Sequence, residues 1–177
     1  MQRAIAITLF IASLATIAVA QQDKSKRPSP PASATCKFSD GKTIKVDYSS
    51  PRAKGRKIYG GLVPYGKVWR TGANEATTFV TDTNLTAGGK DIPAGSYTLF
   101  TVPNEGKWTL VISKKTGEWG TDYPGEGEDL ARIDMDTEKT SGPVENFTIT
   151  FHEMGSQCHI YLDWENTRAM ALLSEKK

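Results

Sequence analysis

From Thr35 onward, apolar side chains recur at every second position in short runs separated by Gly, Pro, Asn, Asp and Ser. That period belongs to antiparallel strands and not to helices. In CKFSDGKTIKVDY, Cys36 and Phe38 share a face that Ile44, Val46 and Tyr48 continue. Matching the two halves predicts a hairpin with Phe38 opposite Ile44 and a three-residue loop of Asp40, Gly41 and Lys42. Further strands are predicted over 76–83, 96–102, 107–113 and 130–136. The cleanest hairpin comes last. A two-residue turn at Gly155-Ser156 puts Phe147, Ile149 and Phe151 on one face with Cys158, Ile160, Leu162 and Trp164. The predicted class is all-β, a single antiparallel β-sandwich of jelly-roll-like type.

The ends lack this alternation. Arg3 precedes an uncharged run over 4–19 that stops short of the roughly 20 apolar residues a bilayer span needs, and Ala18-Val19-Ala20 offers a small-x-small cleavage pattern. Residues 1–20 are therefore expected to be a cleaved signal peptide, the alternative being an uncleaved anchor. The product is expected to be periplasmic or secreted, with no membrane span after cleavage. Residues 21–34, polar and rich in Pro and Ser, are expected to be a flexible lead, and 35–177 the β-sandwich domain.

Charge narrows the partners. The chain has 22 basic and 20 acidic residues, a formal net charge of +2, with the two signs interspersed. That argues against nucleic acid as a partner, which calls for a clustered basic footprint. Two cysteines, Cys36 and Cys158, sit near the start and end of the folded part. In an oxidising compartment an even count favours a disulfide, against the alternative of two buried thiols. So long a loop gives a chain-entropy stabilisation on the order of 4 to 5 kcal/mol. Oligomeric state leaves no trace in the pattern.

Two places could carry chemistry. The segment from Ser50 to Thr77 follows neither period, yet it gathers Arg52, Arg56, Tyr59, Tyr65, Trp69, Arg70, Asn74 and Glu75 among glycines. Loops this long inside a compact domain are usually functional or carry structure of their own. Guanidinium groups beside aromatic rings suit a small ligand, a glycan or an anion. The structural alternative is that Arg70 pairs with Glu75 and Trp69 plugs one end of the fold. A hydrolase with Glu75 as general base and Arg70 orienting the substrate is a further alternative, and an envelope protein-interaction module a third. No catalytic residues and no cofactor are assigned, since GxGxxG, GxSxG, HExxH and GxxxxGK[ST] are all absent.

The other place is the last hairpin, whose register sets His152 opposite His159 with Tyr161 and Asp163 on the same face. Opposed residues have Cβ atoms roughly 4.5 to 5.5 Å apart, so the two imidazoles are weak metal candidates with Asp163 as a less certain third ligand. The bland reading is a pair of half-exposed polar side chains. Glu153 falls on the apolar row, which requires it to lie at the rim by the turn.

The stretches GRKIYGGLVPYGKVWRTGANEAT, IPAGSYTLFTVP and KWTLVISKKTGEWG, with NFTITF and LDWENTRA, resemble a bacterial family of exported proteins, DUF2911. The resemblance covers nearly the whole chain after the lead and brings no assigned reaction with it. It implies that Arg56, Gly60, Pro64, Gly66, Trp69, Arg70, Gly72, Asn74, Glu75 and Thr77 occupy the family's most recognisable motif. The functional expectation is a non-catalytic exported domain that binds a small ligand through the segment from Arg52 to Glu75.

Overall fold

The computed structural model describes residues 23–176, so the leader and its cleavage point lie outside the described residues. Nine strands are formed: β1 Pro31–Lys37, β2 Thr43–Ser49, β3 Thr77–Thr81, β4 Leu85–Ala87, β5 Lys90–Ile92, β6 Gly95–Val102, β7 Lys107–Ser113, β8 Asp129–Met154 and β9 Gln157–Glu175. They make one antiparallel sheet in the order β1-β2-β3-β6-β7-β8-β9-β4-β5. The all-β expectation holds. The two layers expected of a sandwich come from one sheet that folds over on itself.

The fold-over is made by the long hairpin. β8 and β9 run for 26 and 19 residues, far beyond the usual strand of 5 or 6 residues. Their register breaks between Lys139 and Val144 and again before Thr148. Gly142-Pro143 lies in the break, where proline cannot donate to a ladder, and Glu165 on the partner strand takes a φ of 54°. Below the break β8 pairs with β7. Beyond it the hairpin passes over β1 and β2. There the Ser39 N–H donates to the Gly155 carbonyl (3.0 Å), the Ile149 N–H to the Tyr48 hydroxyl (3.0 Å), and the Lys37 N–H to the Glu153 carboxylate (2.8 Å). Exposed Glu153 thus occupies the rim position its place in the apolar row demanded. Cys36 and Cys158 are disulfide-bonded with Cα atoms 6.3 Å apart, joining strands that are not neighbours in the sheet. Phe38, Ile44, Phe79, Leu99, Trp108, Phe147, Leu162 and Trp164 fill the space between the layers.

Three expectations need correction. In the first hairpin Cys36, not Phe38, stands opposite Ile44, and the Phe38 N–H donates to the Lys42 carbonyl at 2.8 Å, which leaves Ser39, Asp40 and Gly41 as the loop. The slip is two residues, which keeps every side chain on its face. The ordered chain also begins before Thr35. Pro31 to Ala34 open β1 opposite Ser49 to Val46, because an exposed strand edge offers backbone partners whatever the side chains. Finally, β4 and β5 form a short hairpin that extends the sheet from β9, outside the strands expected.

Candidate functional site

The segment over 50–76 joins β2 to β3, which are direct neighbours, so the topology does not need its length. It is nonetheless tied down by backbone bonds. The Phe147 N–H donates to Pro51 (2.9 Å) and the Ala53 N–H to Glu145 (2.8 Å), at the bend of β8. Trp69 and Thr101 of β6 exchange both bonds at 2.8 and 2.9 Å, and the Ala73 N–H returns to Ser49 at 3.1 Å. The segment therefore crosses from the β8 bend to β6 before rejoining the sheet. Gly72 is required by this return, since a Cβ there would lie 2.9 Å from the Ser49 carbonyl oxygen.

Aromatic residues of the segment complete the core at this end. The Trp69 ring stacks on Trp164 (5.8 Å, 17°) and meets Phe147 edge-on at 4.9 Å. Its Nε1 donates to the Gly72 carbonyl at 3.1 Å. Tyr59 packs edge-on against Trp108 at 4.7 Å. Burial raises the Tyr59 hydroxyl pKa well above its ordinary value, reinforced by the nearby Glu165 and Asp163 carboxylates, and that hydroxyl has no hydrogen-bond partner among the described residues. Leaving a buried polar group unpaired costs about 1 to 3 kcal/mol.

The eight residues expected to form one site are sorted into three places. Arg56, Trp69 and Arg70 line a cleft of about 320 Å³ together with Lys67, Val63 and Pro64. Tyr59 and Tyr65 line a separate one of about 350 Å³. Arg52, Asn74 and Glu75 line neither: the first two hold backbone carbonyls and Glu75 holds two basic side chains. Arg52 Nη1 donates to the carbonyl and hydroxyl of Ser50, both at 2.7 Å. Asn74, at a φ of 58°, donates from Nδ2 to the Ser29 carbonyl at 3.1 Å. Glu75 accepts from Arg27 Nη1 at 3.0 and 2.9 Å and from Lys24 Nζ at 2.9 Å. Burial raises the Glu75 pKa, but its own backbone N–H, Lys24 and Arg27 outweigh this and hold the carboxyl at about 2.

Arg70 and Glu75 are thus not a pair. Arg70 forms no ion pair among the described residues, and its Nε is buried without a hydrogen-bond partner. Desolvation lowers its pKa. Arg56 spends two of its donors on the Ala53 and Arg52 carbonyls, at 3.0 and 2.6 Å. Thr71, next to Arg70, sits at a φ of 55°, a strained conformation for a β-branched residue. Thr77 Oγ1 donates to its carbonyl at 2.8 Å and Thr101 Oγ1 lies 3.1 Å from its hydroxyl. Sequence reasoning missed Lys67, a third cation of the Arg70 cleft inside the same segment, and Lys24 and Arg27, which nothing local ties to Glu75.

On the last hairpin His152 does stand opposite His159, with Met154 opposite Gln157 across the turn. Asp163 is engaged elsewhere, accepting from Arg168 Nε and Nη2 at 2.8 and 2.7 Å. His159 Nδ1 lies 3.4 Å from the Tyr161 hydroxyl. Among the described residues no group of three or more His, Cys, Asp or Glu side chains is placed to hold a metal ion.

A family model described as "Protein of unknown function (DUF2911)" matches residues 29–172. The chain belongs to this family. No curated protein and no solved structure matches it. The DUF2911 match takes in β1, the whole segment over 50–76 and nearly all of β9, so both clefts are lined by residues inside the DUF2911 region. The family description carries no activity.

Proposed function

We propose that this DUF2911 domain is a non-catalytic extracytoplasmic module that binds a small anionic ligand in the Arg70 cleft. The observation that carries the reading is the Arg70 guanidinium, partly buried, without a carboxylate partner among the described residues, and lining a cleft whose other charged residues are Arg56 and Lys67. An unpaired guanidinium in a poorly solvated site is matched by an oxyanion with two oxygens on one centre, which accept two parallel N–H bonds. Most of the remaining lining is apolar, with Trp69, Val63 and Pro64 beside the hydroxyl residues Ser29 and Thr121, which suits a ligand whose carboxylate, phosphate or sulfate head is attached to an apolar body. The strained Thr71 beside Arg70 supports a functional role, since such conformations concentrate at ligand sites. The disulfide supports an oxidising compartment. Glu75 as a hydrolytic base loses its motive, because a carboxyl held at about 2 is a weak base and it lies outside the Arg70 cleft.

The test is a thermal-shift and calorimetric screen of the disulfide-intact protein against inorganic phosphate, sulfate, citrate, benzoate and glucuronate. A ligand at a hundred times its Kd stabilises by about 2.7 kcal/mol, a shift of several degrees. Arg70→Met is expected to abolish the shift while its own melting temperature stays equal or rises, because an unpaired desolvated charge is removed. No response at millimolar concentration, or a response that survives Arg70→Met, overturns the reading.

A further inference from the structure

The second cleft lies on the other side of the loop that carries Gly60 to Gly66. Tyr59 and Tyr65 line it, whereas Leu62, Val63 and Pro64 line the Arg70 cleft. Its character is different. Asn104, Asn166 and Thr167 supply neutral donors and acceptors, and Glu105, Glu138 and Lys139 give it both signs of charge, so it offers an anion no net attraction. Tyr65 is 38% exposed, with its ring packed so closely over Gly60 that a Cβ there would come within 2.8 Å of it. Tyr59 is 4% exposed, and its buried hydroxyl has no partner among the described residues. The side chains of Asn104 and Asn166 make no hydrogen bond within the described residues, which leaves both amides available.

We propose that this second cleft binds a neutral polyhydroxylated ligand, one or two saccharide units, with Tyr65 as the aromatic platform and Tyr59, Asn104 and Asn166 as the hydrogen-bonding set. A sugar hydroxyl donates and accepts at once, which is what an amide and a phenol present. A pyranose also offers an apolar C–H face to an aromatic ring. The volume of about 350 Å³ lies in the range of small-molecule sites. A buried phenol without a partner is uncommon in a folded protein, and a ligand hydroxyl supplies one.

The site is tested on the disulfide-intact protein with cellobiose, maltose and N,N′-diacetylchitobiose at millimolar concentration, using saturation-transfer NMR and calorimetry, with choline as a cationic control. At least one disaccharide is expected to bind. Tyr59→Phe, which removes a single oxygen, is expected to weaken that binding severalfold, and Tyr65→Ala or Asn166→Ala to abolish it. Should Tyr65→Ala not fold, exposed Asn166 still gives the answer. The proposal is overturned when no disaccharide binds, when binding is unchanged in Tyr59→Phe and Asn166→Ala, or when choline binds in place of the sugars. Loss of sugar binding in Arg70→Met but not in Asn166→Ala puts the ligand in the Arg70 cleft and also overturns it.

Discussion

Arg27 holds Glu75 through a single nitrogen, Nη1, which reaches both carboxylate oxygens at 3.0 and 2.9 Å. The pair ties the chain ahead of β1 to the loop ahead of β3. The Arg27 guanidinium also lies 6.0 Å from the Trp119 ring centroid, and the Asn74 bond to Ser29 runs beside it. The N-terminal segment is thereby part of the wall that surrounds the Arg70 cleft, to which Ser29 contributes directly.

This clasp has a pH signature. A carboxyl whose pKa is lower in the folded than in the unfolded state stabilises the fold fully above its unfolded value, near 4.5, and loses that contribution as pH falls towards about 2. Because Glu75 is about a third exposed, the contribution is held below about 1 kcal/mol by solvent screening. Arg27→Ala is expected to raise the Glu75 pKa towards 4.5 and to flatten the acid limb of stability between those values. A carbon-13 carboxyl titration reads the shift directly, and an unmoved midpoint contradicts it.

Three glycine substitutions separate close contact from backbone conformation. Gly106 has a φ of 82° and nothing near its added Cβ, so Gly106→Ala is expected to cost about 1 kcal/mol. Gly60→Ala is expected to cost slightly more, about 1 to 2 kcal/mol, and to swing Tyr65 outward. Gly72→Ala meets the backbone oxygen of Ser49 and is expected to cost about 2 to 3 kcal/mol. Urea midpoints give the order, and Gly72→Ala as mild as Gly106→Ala disproves the contact.

Alkylation of the unfolded, unreduced protein is expected to modify neither cysteine, since Cys36 and Cys158 are bonded. Replacing both by Ser is expected to lower stability by about 2 to 5 kcal/mol. A pair of alkylated thiols in the mass spectrum refutes the bond.

Tyr123 is raised to about 12 by burial, together with its hydrogen bond to Asp129 and that residue's charge. A group raised in this way stabilises the fold below its unfolded value near 10 and loses the contribution as pH climbs towards about 12. Asp129→Asn is expected to bring its ionisation closer to 10 in a spectrophotometric titration; an unchanged curve rules out Asp129 as a cause.

What the chain revealed in advance was whatever a local period determines. The final hairpin was readable to the residue because a two-residue turn and an apolar row on each strand admit one register. The first hairpin was readable only up to parity, since a two-residue slip leaves Cys36, Phe38 and Ile44 all buried. β4 and β5 are three residues each, too short to display alternation, and Pro31 to Ala34 owe their strand to the edge of β2. The division of the aperiodic segment into two clefts was hidden for another reason. It depends on which distant residues stand behind each loop residue, Asn104 and Asn166 behind Tyr65 and Trp164 behind Trp69, and on Arg27, far away in sequence, pairing with Glu75.

The bend in β8 and β9 makes one hairpin serve both layers, and the Cys36–Cys158 bond closes that arrangement over a sequence separation of 122 residues. Neither layer can be completed until the last strand of the chain is available. Partly synthesised chains therefore present the uncovered apolar face of β1 and β2 and an unmatched Cys36 thiol. Folds dominated by such distant pairings are slow and exposed to aggregation on the way. A thiol oxidant and a holdase acting on the early strands should accordingly govern the yield of native protein more strongly than any change in its final stability.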